Sequence, residues 1–258
     1  MALVDLAGGK IEYELLGDLH GGGEPPLVFL HEGLGSVELW RGFPAAVAAA
    51  TGRAALVFSR HGYGRSSVVT KARRPDYMHR EADVVLPGLL THLGVERPVL
   101  VGHSDGASIA LLHAGAGHPV SGLVLLAPHV FVEDRSVAGI AAARDAYRTT
   151  GLADAMRKYH VDADATFRGW NDIWLSPSFR DWNIEDRLPG IDCRVLAVAG
   201  EDDQYGTPAQ LDAIERGVRG PVERLLLPGV GHAPHLERPV ETKKAVVSFI
   251  SRLDRPMG

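Results

Sequence analysis

Three short segments of this 258-residue chain hold side chains suited to nucleophilic chemistry, and they lie far apart in sequence. The first is Gly102-His103-Ser104-Asp105-Gly106, a G-x-S-x-G pattern. The apolar run PVLV precedes it and the helical ASIALLHAG follows, so Ser104 is expected on a tight strand-to-helix turn. Such a turn strains the serine backbone, needs glycines on either side for close approach, and sets the hydroxyl at a helix amino terminus. A serine hydroxyl is a poor nucleophile at neutral pH and needs a base. Twelve histidines make a lone His uninformative, but His232 lies in GVGHAPHLERP, between the last predicted strand and the last predicted helix. A carboxylate to orient that imidazole is expected after the preceding strand, where Gly200-Glu201-Asp202-Asp203 stands. The chemistry would be acyl transfer: attack by Ser104, proton transfer through His232, and charge support from a carboxylate.

Elements that could bring these segments together are legible in the hydropathy. Ile11, Tyr13 and Leu15 alternate with charged neighbours from Gly9 to Gly17, which reads as a strand. Short apolar runs at Leu27–Leu30, Ala54–Phe58, Val99–Val101, Leu123–Leu126, Arg194–Ala199 and Glu223–Leu227 suit strands buried on both faces of a parallel sheet. Helical stretches alternate with them, near Glu38–Ala50, Asp76–Leu93, Gly106–Gly115, Pro208–Gly217 and Val240–Leu253. Pro87-Gly88 should kink or split the second of these. Alternation of this kind implies an α/β architecture with helices on both faces of the sheet.

The interval from His129 to Arg187 departs from the alternation. It carries Trp170, Trp174 and Trp182, three of the four tryptophans, in helical patterns. It reads as a helical cap, residues 129–187, inserted over the carboxyl edge of a core formed by residues 1–128 and 188–258.

Composition narrows the partners. With a net charge of -5 the chain lacks the basic excess that nucleic acid or an anionic membrane rewards, which leaves a small-molecule substrate. Cys193 is the only cysteine, so neither an intrachain disulfide nor a multi-thiolate metal site can form, and it reads as a small apolar residue at a strand start. His232 and His235 form an H-x-x-H, but no third ligand is spaced to join them, so no metal and no cofactor are expected. The amino-terminal residues lack the pattern of a signal peptide and no window reads as a membrane span, so a cytoplasmic location is expected. Oligomeric state is not readable.

From its first strand to GHAPHLERP the chain resembles the α/β-hydrolase superfamily, which places its triad in the order Ser, Asp, His. The resemblance implies a mostly parallel eight-stranded sheet flanked by helices, with a cap. The family's acid sits fourth in a G-x-x-D segment, which favours Asp203 over Asp202. Its H-G-x loop after the third strand matches His31-Glu32-Gly33, so the Gly33 and Asp105 N–H groups are the implied oxyanion donors. His20-Gly21-Gly22-Gly23 spells a lipase-type HGGG but precedes that strand and reads as a turn. Glu32 replaces the usual glycine, and Ser59-Arg60-His61-Gly62 departs from the family's D-x-R-G. Glu32 or Asp105 could meet a polar or cationic substrate group; alternatively both point away, toward backbone amides or Arg60. His129, Trp170 and Trp174 are pocket candidates, and His103 is expected to pack or hydrogen-bond. The family implies hydrolysis of a carboxylic ester or related acyl bond. The alternatives are a lactonase or a carbon–carbon bond hydrolase, which would need Arg60, Arg168 or Arg180 to anchor a carboxylate, and a non-catalytic ligand-binding protein.

Overall fold

A computed structural model describes residues 1–253. The chain begins with β1 (Ala2–Leu6), β2 (Gly9–Leu16) and β3 (Leu27–Leu30), followed by α1 (Phe43–Thr51) and β4 (Ala55–Ser59). Next come α2 (Tyr77–Arg80), α3 (Leu86–His92), β5 (Val99–His103), α4 (Asp105–Gly115) and β6 (Gly122–Leu126). The 129–187 segment holds α5 (Asp134–Thr149), α6 (Leu152–Met156) and α7 (Ala163–Trp174). After it run β7 (Val195–Gly200), α8 (Ala209–Gly217), β8 (Val222–Leu227), α9 (Pro234–Glu237) and α10 (Pro239–Leu253).

The strands form one eight-stranded sheet in the order β1-β2-β4-β3-β5-β6-β7-β8. The β1/β2 and β2/β4 pairs are antiparallel and every later pair is parallel. This is the mostly parallel, helix-flanked sheet that the alternation implied. Period-two geometry divides the core. Leu27 and Phe29 of β3 pack with α1 and α10, through Phe43, Val47, Val246 and Phe249. Val28 and Leu30 of the same strand face Met78, Leu89, Ile109 and Leu111 on the other side. Because β3 is buried on both faces, its whole sequence is apolar; each such side chain contributes roughly 1.5–3 kcal/mol on burial.

Proline, with a left-handed Arg41, accounts for two departures from the expected helices. The stretch predicted from Glu38 to Ala50 is a 3₁₀ turn at Glu38–Trp40 followed by α1. Arg41 at φ 55° breaks it, and Pro44 fits only in the first turn of a new helix. The interruption expected at Pro87-Gly88 is a π turn over Glu81–Val85, one turn upstream. Pro87 offers no N–H to the carbonyl four residues back, and a wider turn absorbs the mismatch there. The first strand, β1, is an edge strand with Leu3 exposed, and the hydropathy pattern did not reveal it.

β3 continues sideways to β4 and β5 to β6, in opposite directions across the sheet, so the β3/β5 boundary is where strand order reverses. Open α/β sheets bind ligands beyond the carboxyl ends of strands at such a switch point. Leu30 pairs with Gly102 there, which sets the Glu32-Gly33 loop beside Ser104.

Candidate active site

Ser104 sits between β5 and α4 with φ 52° and ψ -119°, a region that L residues rarely occupy. Its N–H donates to the Leu126 carbonyl at 2.9 Å, which pins the turn to β6. The flanking glycines are required by contact. A Cβ on Gly106 would lie 2.0 Å from the Leu30 oxygen, and one on Gly102 would lie 2.4 Å from the Gly106 oxygen. The expected elbow is therefore present, with its serine opening onto a cavity of about 260 Å³.

His232 follows β8 and Asp203 follows β7. The His232 Nδ1 lies 2.9 Å and 2.8 Å from the two Asp203 carboxylate oxygens. Asp203 also accepts from the Tyr205 N–H at 2.8 Å and the Gly206 N–H at 3.3 Å. Burial pushes the Asp203 carboxyl up, but the His232 contact and the Tyr205 amide outweigh it and leave the group below its ordinary value. Asp202 is exposed, and the carboxylate that meets His232 is that of buried Asp203. Ser104 and His232 line the same cavity, yet among the described residues no hydrogen bond joins them. The relay is closed on its Asp–His side and open on its Ser–His side. Contacts of this kind often tighten only with substrate bound.

The cavity wall also contains Gly33, Glu32, His129, Trp170 and Trp174, all expected near the site. Gly33 lies under the α7 indole of Trp170: a Cβ there would be 2.1 Å from Nε1. Burial, then the neighbouring His232, pull His129 down to about 4, so it is neutral at pH 7. Glu32 faces His103 Nδ1 at 3.4 Å. Burial raises its carboxyl, but the His103 contact prevails and holds it well below the usual carboxylate range. His103 Nε2 in turn donates to the His232 carbonyl at 2.8 Å. His103 thus bridges the nucleophile turn and the histidine loop.

For Asp105 the structure separates the two readings left open by the sequence. Its carboxylate is fully buried, 2.7 Å from the Tyr77 hydroxyl and 3.6 Å from Arg60 Nη2, so it points away from the cavity as the Arg60 alternative held. The three arginines considered as substrate anchors are also placed elsewhere. Arg60 is buried under the loop, Arg168 opens on a separate cleft, and Arg180 pairs with Asp134. The cavity lining contains neither Lys nor Arg.

Several lining residues had no signal in the sequence. Tyr205 lays its ring 4.7 Å from that of His232, centroid to centroid, and Glu237 accepts from the Gly231 and Ala233 N–H groups that flank His232. Glu237 lies within GHAPHLE, five residues after the histidine, and a carboxylate there could have been read as a loop cap. His235 packs on Trp40 and Phe43, and burial pulls it down to about 3. Half-buried Cys193 precedes β7, its thiol pushed up to about 11 by burial. The His20 segment is an exposed turn beside Gly94, at the end of the sheet opposite Ser104. Among the described residues no helix is long and apolar enough to cross a membrane.

The model of the α/β hydrolase family matches residues 19–245. An epoxide hydrolase of Caballeronia sordidicola is 35% identical over 112 residues, a stretch that spans 41% of this chain and 33% of that protein. Among solved structures, the enol-lactonase of Burkholderia xenovorans is 19% identical with a TM-score of 0.76, covering 97% of this chain and all (100%) of that one. A structure from work on carboxylesterases of Nitrososphaera gargenis is 17% identical with a TM-score of 0.77, covering 98% of each chain. At these identities the solved structures share the fold.

Proposed function

The chain belongs to the α/β hydrolase family, and we propose that it is a serine hydrolase cleaving a carboxylic ester or related acyl bond of a small molecule. The observation that carries this reading is the Asp203–His232 contact on the same cavity as the strained Ser104. Asp203 fixes the imidazole with Nδ1–H toward the carboxylate, which leaves Nε2 as the base. Substrate binding would close the Ser104 hydroxyl onto Nε2. The hydroxyl proton passes to His232 as the oxygen attacks the acyl carbon. The Gly33 and Asp105 N–H groups receive the developing oxyanion, and His232 returns the proton to the leaving alkoxide. Water then attacks the acyl-enzyme with His232 again as base, releasing the acid and free Ser104. The 129–187 segment acts as the cap, closing the site with Trp170 and Trp174.

Cavity chemistry supports a small, uncharged or cationic substrate. Aromatic and aliphatic walls from Trp170, Trp174, Leu34 and Ile140 surround the site, and the charged groups on it are carboxylates, Glu32 and Glu237. A dienoate of the kind cleaved at a carbon–carbon bond would bring its own carboxylate to a lining with no cation, so esters and lactones are favoured. The test is turnover of short-chain p-nitrophenyl esters beside a ring-cleavage dienoate. Ester hydrolysis that disappears in Ser104→Ala supports the reading; preference for the dienoate, or full activity in Ser104→Ala, refutes it.

A further inference from the structure

Arg60 is the first residue after β4 and is 1% exposed. Its Nη2 donates to the Glu32 carbonyl at 3.0 Å and lies 3.4 Å from the His31 carbonyl. The same Glu32 oxygen lies 2.7 Å from His31 Nδ1, while the Arg60 N–H donates to His31 Nε2 at 3.0 Å. With Nε2 accepting, the His31 proton must sit on Nδ1 and point at Glu32. Burial, then the Arg60 charge, hold His31 well below its ordinary pKa, consistent with that neutral tautomer.

With the Gly35 N–H, which donates to the same oxygen at 3.1 Å, three donors grip one carbonyl, and Arg60 is the charged one; the consequence follows from peptide geometry. The chain has no cis peptide bonds, and in a trans peptide the C=O and the next N–H point in opposite directions. Pinning the Glu32 oxygen aims the Gly33 N–H away from Arg60, toward the cavity that Gly33 lines. The other amide assigned to the oxyanion belongs to Asp105, whose carboxylate is the Arg60 counter-charge at 3.6 Å. The ring of Tyr63 supports the guanidinium from another side, with its centroid 4.6 Å from Cζ. One buried cation thus touches the backbone before one donor and the side chain of the residue that bears the other.

We propose that Arg60 is a positioning residue that presets both N–H groups of the oxyanion hole, a role that rests on the serine-hydrolase reading above. Buried ion pairs of this kind contribute little net stability relative to apolar replacements, so stability alone does not account for it. Removing both charges should leave the protein folded but its Gly33 amide less firmly aimed, with only His31 and Gly35 left on the Glu32 oxygen. The test compares wild type with Arg60→Met/Asp105→Asn, which retains the backbone N–H at 105, and with Arg60→Lys, whose ammonium lacks the planar fork. The measurements are kcat and KM on a p-nitrophenyl ester, Ki for a trifluoromethyl ketone that forms an oxyanion on the serine, and a thermal melt.

The expected result for the double variant is a cooperative melt, kcat/KM lower by about tenfold or more, and KM changed by less than about threefold, a loss short of that for removing one donor outright. Trifluoromethyl ketone affinity should fall in step with kcat/KM. Arg60→Lys should show the same pattern with a smaller loss, and it decides the matter if the double variant does not fold. A folded variant with kcat/KM within about threefold of wild type, or a loss confined to KM with Ki unchanged, overturns the proposal. A wild type without Ser104-dependent ester hydrolysis would overturn the serine-hydrolase reading itself, and this proposal with it.

Discussion

Replacing Gly33 with alanine puts a methyl group where the Trp170 indole already lies. The added carbon would sit 2.1 Å from Nε1, 2.3 Å from Cδ1 and 2.9 Å from Cε2 of that ring. Ordinary carbon contacts begin near 3.5 Å, so about 1.4 Å of movement must be shared between the indole and the Glu32-Gly33 loop. Trp170 is 6% exposed and packs on Phe167, which limits its retreat. Much of the shift therefore falls on the loop. A displacement of about 1 Å at a catalytic donor costs on the order of 100-fold in rate, or about 2.7 kcal/mol of transition-state stabilisation. Steady-state hydrolysis of a p-nitrophenyl ester should show that loss in kcat, with tryptophan fluorescence reporting the indole shift. Gly33→Ala/Trp170→Ala removes the clash and should recover part of the kcat lost in Gly33→Ala, measured against Trp170→Ala alone. Gly33→Ala activity within about threefold of wild type, or a double variant no better than multiplied single losses, would refute the contact as the cause.

Other expectations follow from the same geometry. Asp203→Asn should lower kcat by roughly 10³–10⁴-fold because the amide favours the wrong His232 tautomer, while Asp202→Asn should stay within about twofold of wild type in the same ester assay. Glu237→Ala frees the amides on both sides of His232 and should reduce kcat by about tenfold with little change in KM. Burial first, then His118, pull His113 from 6.5 down to about 4. Its folded pKa lies below the unfolded value, so the unfolded chain binds more protons between the two and stability should fall as pH drops from 6.5 toward 4. His113→Asn, whose amide can still donate to the Ala82 carbonyl, should show a shallower decline in melting temperature over that range.

Much of this architecture is written in local pattern. All-apolar runs such as Leu27–Leu30, short and bounded by turn residues, suit strands buried on both sides, and a G-x-S-x-G between strand and helix signals a strained turn. The Asp203 assignment needed only a motif register, and the carboxylate contact with His232 agrees with it. What the sequence could not supply is direction across space. In sequence Asp105 could face substrate or turn toward Arg60, and only the placement of Tyr77 and Arg60, remote in sequence, decides for the inward direction. Glu32 and His103 lie 71 positions apart, and only the β3/β5 register makes them neighbours. Tyr205 carries no motif, so its place beside His232 emerges only when the loops from β7 and β8 fold together. The edge strand β1 was missed because a half-exposed strand lacks the apolar density of the central ones.

Trapping the acyl-enzyme tests the mechanism at its reacting atom. The protein would be mixed with a p-nitrophenyl ester, quenched in acid within the first turnovers, and digested for mass spectrometry. Wild type should carry the acyl mass on the peptide containing Ser104, Ser104→Ala should carry none, and His232→Ala should accumulate it far more slowly. Ester turnover with no adduct, or an adduct on another residue that survives in Ser104→Ala, would contradict nucleophilic attack by Ser104.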